Sequence, residues 1–117
     1  MTTSNNGGGI KSDSTNGVVN LDISDSEISN NPGNGINLVG SANQNMLNVS
    51  RTIIAKNAVA GLQVNGATTA ALVDTTLFDT NTSGATSVVG GGHVLTYGNN
   101  HIVGSAGSGF TGTAPSQ

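Results

Sequence analysis

The 117-residue chain contains no cysteine and no tryptophan, and only one tyrosine, two phenylalanines and two prolines. Without cysteine there is no disulfide, no thiolate zinc site and no thiol nucleophile, and the redox compartment leaves no mark. Basic residues number three, Lys11, Arg51 and Lys56, against six acids, for a formal net charge of −3. Three cations cannot track a phosphate backbone, so no nucleic-acid partner is expected. No apolar run approaches the roughly 20 residues of a membrane-spanning helix, and no membrane partner is expected either. The opening residues, Met1 to Gly9, hold neither a basic nor an apolar stretch and do not read as a signal peptide. On this reading an exported parent would have contributed the chain as a mature piece or as an excised fragment.

Large apolar side chains are also scarce, with Val, Leu, Ile and Phe totalling 27 residues. So few ordinarily signal disorder. Charge repulsion is a poor cause here, because only 8% of residues are charged. What abounds is Gly, Asn, Thr and Ser, together 61 of 117 residues. None of these is a good helix former. No segment sustains a 3.6-residue apolar period, so no helix longer than one turn is predicted.

The apolar residues that are present repeat. Ile28, Asn31, Gly35 and Leu38 return 26 residues later as Ile54, Asn57, Gly61 and Val64, and Leu21 and Ile23 return as Leu47 and Val49. A third copy at an offset of 24 sets Val73, Phe78 and Asn81 on Val49, Ile54 and Asn57. A step of 19 then brings Tyr97 and Asn100 onto Phe78 and Asn81, and backwards Asn6, Gly9 and Ile10 match Asn31, Gly35 and Ile36. Within each copy, runs such as Val19–Ile23, Leu47–Val49 and Leu72–Val73 read as short strands parted by Gly, Asn and Ser turns. Three such strands cannot bury a core alone. Stacked coil on coil, each inward residue sits about 4.8 Å above its counterpart, and the backbone bonds run between coils.

The shared pattern is apolar-x-apolar-x-x-Ser/Thr-x-Ile-x-x-Asn-x-x-x-Gly-Ile-x-Leu. It is clearest in residues 21–38 and 47–64 and looser in 71–88 and 93–110. At these residues the chain resembles the right-handed parallel β-helix repeat family, the pectin-lyase-like solenoids. The resemblance implies an all-β fold of four to five coils and a secreted or cell-surface parent. It implies little about activity, because lyases, hydrolases, epimerases, tailspikes and adhesins share the fold. The reading is one solenoid domain over residues 1–117, with a flexible tail from about residue 104. Phe110 is the only large apolar residue there, marking a weak strand or cap.

Few residues are candidates for a site. Asn31, Asn57, Asn81 and Asn100 recur once per coil and are read as a structural ladder, whose amides bond neighbouring backbone or the next Asn. Asp25 stacks on Arg51 as an inter-coil ion pair. Ser26, Thr52, Thr76 and Thr96 form a hydroxyl column, read as a solvated β-face. Glycoside hydrolysis needs two carboxyls roughly 5–10 Å apart, yet the register sets Asp22 beside Asn48, and Asp74 beside Ser50. No catalytic residue is assigned. His93 and His101 lack a third ligand, so no metal is expected, and no cofactor. Tyr97, the single tyrosine, is the candidate sugar contact. The reading is a non-catalytic structural or interaction module, the alternative being a polysaccharide-binding remnant of a pectate lyase-like enzyme. Self-association through the solenoid ends is also expected, because terminal coils leave backbone and core exposed.

Overall fold

The computed structural model describes residues 2–3, 8–40 and 42–113, and among them there is no helix. Strands β1 (Thr2–Thr3), β2 (Ile10–Asp13) and β3 (Val19–Ser24) form a first coil. The second holds β4 (Glu27–Ser29), β5 (Ile36–Val39) and β6 (Asn45–Ser50). The third holds β7 (Ile53–Ala55), β8 (Ala60–Asn65) and β9 (Thr69–Asp74). The fourth holds β10 (Leu77–Asp79), β11 (Gly84–Val89) and β12 (His93–Thr96), and β13 (His101–Val103) and β14 (Gly112–Thr113) begin a fifth. Every strand pairs in parallel with its equivalents one coil away, never with its neighbours in sequence. Three sheets result: sheet A (β1-β4-β7-β10-β13), sheet B (β2-β5-β8-β11) and sheet C (β3-β6-β9-β12-β14). The architecture is an all-β parallel solenoid.

The register explains why so few apolar residues suffice. Inward positions stack only on inward positions, as Ile28 on Ile54 on Phe78 in sheet A. Sheet B adds Ile36 on Leu62 and Leu38 on Val64, and sheet C adds Leu47 on Ala71 and Val49 on Val73. All are at most 1% exposed. Each full burial of a Val, Leu, Ile or Phe is worth about 1.5–3 kcal/mol. Most serines, threonines and asparagines are left for outward faces and corners, although Ser12 and Thr86 take inward positions in sheet B beside Leu38 and Leu62.

The 26- and 24-residue steps are those of the register, but the final step of 19 is not. Ile102, not Tyr97, stacks on Phe78, keeping the offset at 24. Tyr97-Gly98-Asn99-Asn100 mimics Phe78-Asp79-Thr80-Asn81 in spelling, yet it forms the exposed bend after β12. Ile102 is the residue there that loses nothing by turning inward. At the other end Ile10 does pair with Ile36, whereas Asn6 lies outside the described residues.

The segment after residue 104 packs on the fourth coil up to Thr113. Gly107 bridges Thr86, and Thr86 Oγ1 donates to Gly109 O at 2.6 Å. Thr111 Oγ1 accepts from Val94 N–H, and Phe110 meets Phe78 edge-on with ring centroids 6.2 Å apart. These contacts cover the core at that end of the coil stack. Residues 114–117, the rest of the expected tail, lie outside the described residues.

Candidate functional site

The corners of the coil carry the polar order. Between sheets A and B, Asn30, Lys56 and Thr80 adopt φ of 57°, 54° and 51°, and Gly104 continues the column at 92°. Such left-handed backbone favours Gly and Asn. Lys56 and Thr80 hold it because the ladder next door fixes the turn. That ladder is Asn31, Asn57 and Asn81, each at most 4% exposed. Asn31 Nδ2 donates to Asn57 Oδ1 at 3.0 Å, and Asn57 Nδ2 donates to Asn81 Oδ1 at 2.9 Å. The same oxygens accept the backbone N–H of Asn31 and Asn57, and the amides of Asn57 and Asn81 reach back to Ile28 O and Ile54 O. Gly35 and Gly61 explain the glycine four residues on. A Cβ on Gly61 would stand 2.8 Å from Ala85 O and 2.9 Å from Asn81 Nδ2.

Asn100 is not in that stack. With the step corrected, Ser105 follows Asn81, and Asn100 falls one coil after Thr76. There its Oδ1 accepts Thr76 N–H at 2.8 Å, while Nδ2 donates to Val73 O and Thr96 Oγ1. The hydroxyl column is not a solvated face either. Ser26, Thr52 and Thr76 are buried at the corner between sheets C and A, each donating to a carbonyl two residues back. Thr96 is outside that column, in β12 beside Val73.

At the same corner Asp25, Arg51 and Thr75 have φ of 49°, 47° and 47°. Left-handed backbone swings successive side chains outward on one line, and there Asp25 and Arg51 meet. Arg51 Nε donates to Asp25 Oδ1 at 2.8 Å and a second guanidinium nitrogen to Oδ2 at 3.1 Å. That hydrogen-bonded charge holds the Asp25 carboxyl below its usual range and raises Arg51. Both side chains are more than half exposed, so the contact is a solvent-facing clasp between coils.

Four other acids are engaged as well, Glu27 being the exception. Asn48 Nδ2 donates to Asp22, Asn99 Nδ2 to Asp74, and Thr80 Oγ1 to Asp79. Asp13 accepts from both the hydroxyl and the N–H of Thr15, which lowers its pKa. Asn81, in a glycosylation-like Asn-Thr-Ser triplet, is locked in the ladder. His93 and His101 lie on different sheets, C and A, and no group of three potential metal ligands occurs among the described residues. Tyr97 stands on the outer face of sheet C, with half-buried Leu72 and Leu95 on the same face and Asp74 one coil below. Sequence reasoning missed Asn34, whose Oδ1 accepts Ala60 N–H and whose Nδ2 donates to Gln63 Oε1. Only the three-dimensional corner brings those groups together, so no spacing rule pointed to it.

No known family, no curated protein and no solved structure matches the chain. What fold and geometry define is a class: an all-β parallel solenoid stitched by an asparagine ladder.

Proposed function

We propose that the chain is a non-catalytic structural or interaction module of an exported or cell-surface protein, presenting polar solenoid faces to a partner. One observation carries this reading. Five of the six acids accept a hydrogen bond from this chain's own side chains, Asp22, Asp25 and Asp74 across coils and Asp13 and Asp79 from a threonine close in sequence. The sixth, Glu27, stands without an acidic neighbour in the register, beside Ile53. Carboxylates engaged in this way, with no second acid facing them, are poorly placed to act as a general acid–base pair. Incubation with pectin, polygalacturonate, alginate and xylan, with and without calcium, should release neither reducing ends nor unsaturated products. Turnover that a single Asp substitution abolishes would overturn the reading.

A second reading, polysaccharide binding without turnover, is favoured by Tyr97, which offers an exposed ring beside Leu72, Leu95 and Asp74. Retardation of the chain in a polysaccharide gel, lost in Tyr97→Ala, would support it. The module reading also includes end-on self-association. Leu21 and Ile10 in the first coil are only partly buried, whereas Leu47 and Ile36 above them are 0% exposed.

A further inference from the structure

The two ends of the coil stack are not alike. Beyond the fourth coil the chain closes over itself. Phe110 stands edge-on against Phe78, Thr111 N–H donates to Val94 O at 2.7 Å, and Ala85 N–H donates to Ser105 O at 2.9 Å. At the first coil β3 is the edge of sheet C, with no further neighbour among the described residues. Its odd-numbered residues face β6, since Val19 N–H donates to Gln44 O at 2.9 Å and Asp25 N–H to Ser50 O at 3.2 Å. In a parallel ladder the alternate residues turn the other way, so Asn20, Asp22 and Ser24 present their N–H and C=O groups along the open edge. Val18 beside them is 62% exposed, and Leu21 packs only partly on the core.

Such an edge accepts a further strand, and β3 is complementary to itself. About a two-fold axis through Leu21, an antiparallel second copy sets Leu21 on Leu21, Val19 on Ile23 and Asn20 on Asp22. Inward apolar side chains then meet apolar ones across the junction, and each Asp22 faces an amide. A register centred on Asp22 would instead face carboxylate to carboxylate. The edge of sheet B is a poorer match: β2 has four residues against six, and a two-fold at Ser12 would set Ile10 on Ser14. A head-to-tail contact would offer β3 only the two residues of β14, so the closed, two-fold arrangement wins. We propose that two copies of this chain join head to head by antiparallel pairing of β3 with β3 about Leu21. This rests on the end-on association proposed above and gives it an edge, a direction and a register.

Light scattering of the 117-residue chain and its variants, with oxidative crosslinking, tests it. The chain has no cysteine, so a single introduced one can bridge only to its own copy. Residues opposed in a non-hydrogen-bonded antiparallel pair have Cα atoms about 4.5 Å apart, within disulfide reach. Leu21→Cys should therefore crosslink, and Ser12→Cys on β2 should not. Asn20→Asp should weaken the dimer about 2- to 30-fold and Asn20→Lys should tighten it about 2- to 10-fold, reading the register without touching the core. Asn20→Ala, which keeps both backbone groups and adds no charge, should stay within about twofold of wild type. A monomer at micromolar concentration would overturn both this pairing and end-on association. A folded dimer in which Leu21→Cys stays uncrosslinked, Ser12→Cys crosslinks instead, or Asn20→Asp and Asn20→Lys associate alike would overturn the β3 pairing alone.

Discussion

Replacing Asn57 by alanine removes the middle rung of the ladder while sparing the apolar core. Its side chain accepts from Asn31 N–H at 3.2 Å and Asn31 Nδ2 at 3.0 Å, and donates to Ile28 O at 3.2 Å and Asn81 Oδ1 at 2.9 Å. Asn81 Oδ1 keeps a partner in the variant, because the Asn57 backbone N–H still reaches it at 3.1 Å. Asn31 N–H loses its bond to Asn57 Oδ1, and the Asn31 amide loses its link to the next coil. Each buried group left unsatisfied costs about 1–3 kcal/mol, so Asn57→Ala should lose about 2–4 kcal/mol after partial relaxation. Small domains have only about 5–15 kcal/mol in total. With a urea slope of about 2 kcal/mol/M the midpoint falls by about 1–2 M. Asn20, exposed on edge strand β3, supplies the control, and Asn20→Ala should fall within about 0.5 kcal/mol of wild type. If Asn57→Ala unfolds at the midpoint of Asn20→Ala, the ladder does not hold the coils together.

Phe78→Ala, emptying the largest fully buried position, should cost about 3–5 kcal/mol by urea titration, and Phe110→Ala about 1–2 kcal/mol. A Phe110→Ala change without effect would mean that the last segment does not cover the core. Asp13 and Asp25 have lowered pKa values in the folded chain, so their stabilisation is complete above the unfolded value of about 3.9 and lost as pH falls through the folded value. Arg51→Gln should therefore melt below wild type near neutral pH and converge on it in acid or high salt; a gap that widens in acid would contradict the assignment. Light scattering at micromolar concentration should give a dimer mass for the 117-residue chain, and a clean monomer unchanged by removing the first ten residues would refute end-on association.

The solenoid was legible because two adjacent copies are nearly complete. Ile28 and Ile54, Asn31 and Asn57, and Gly35 and Gly61 keep both spacing and chemistry, because each stacks on its own kind. The last coil was not legible, since its inward aromatic is replaced by Ile102 while Tyr97 and Asn100 copy the look of the earlier turn. Its covering segment was hidden for another reason. Gly107 and Thr111 work through backbone and hydroxyl contacts that need no apolar signature. Of the candidate site residues, the Asp25–Arg51 meeting followed from register alone, whereas the Asn34 bonds to Ala60 and Gln63 depend on how the corner at Gly33 and Asn34 folds back.

Because strands pair only with equivalents one coil away, the chain's length is quantised. Removing residues 53–76 would join Thr52 directly to Leu77, the residue that stacks on Ile53, and every remaining strand would find a partner of the right class. Removing half as many would set strands against corners. Duplication or loss of one whole coil is thus the smallest large-scale edit this molecule can absorb. The corner between sheets B and C is a finer vernier: five residues part β5 from β6, yet three part β8 from β9. Insertions that leave the ladder untouched belong at that corner.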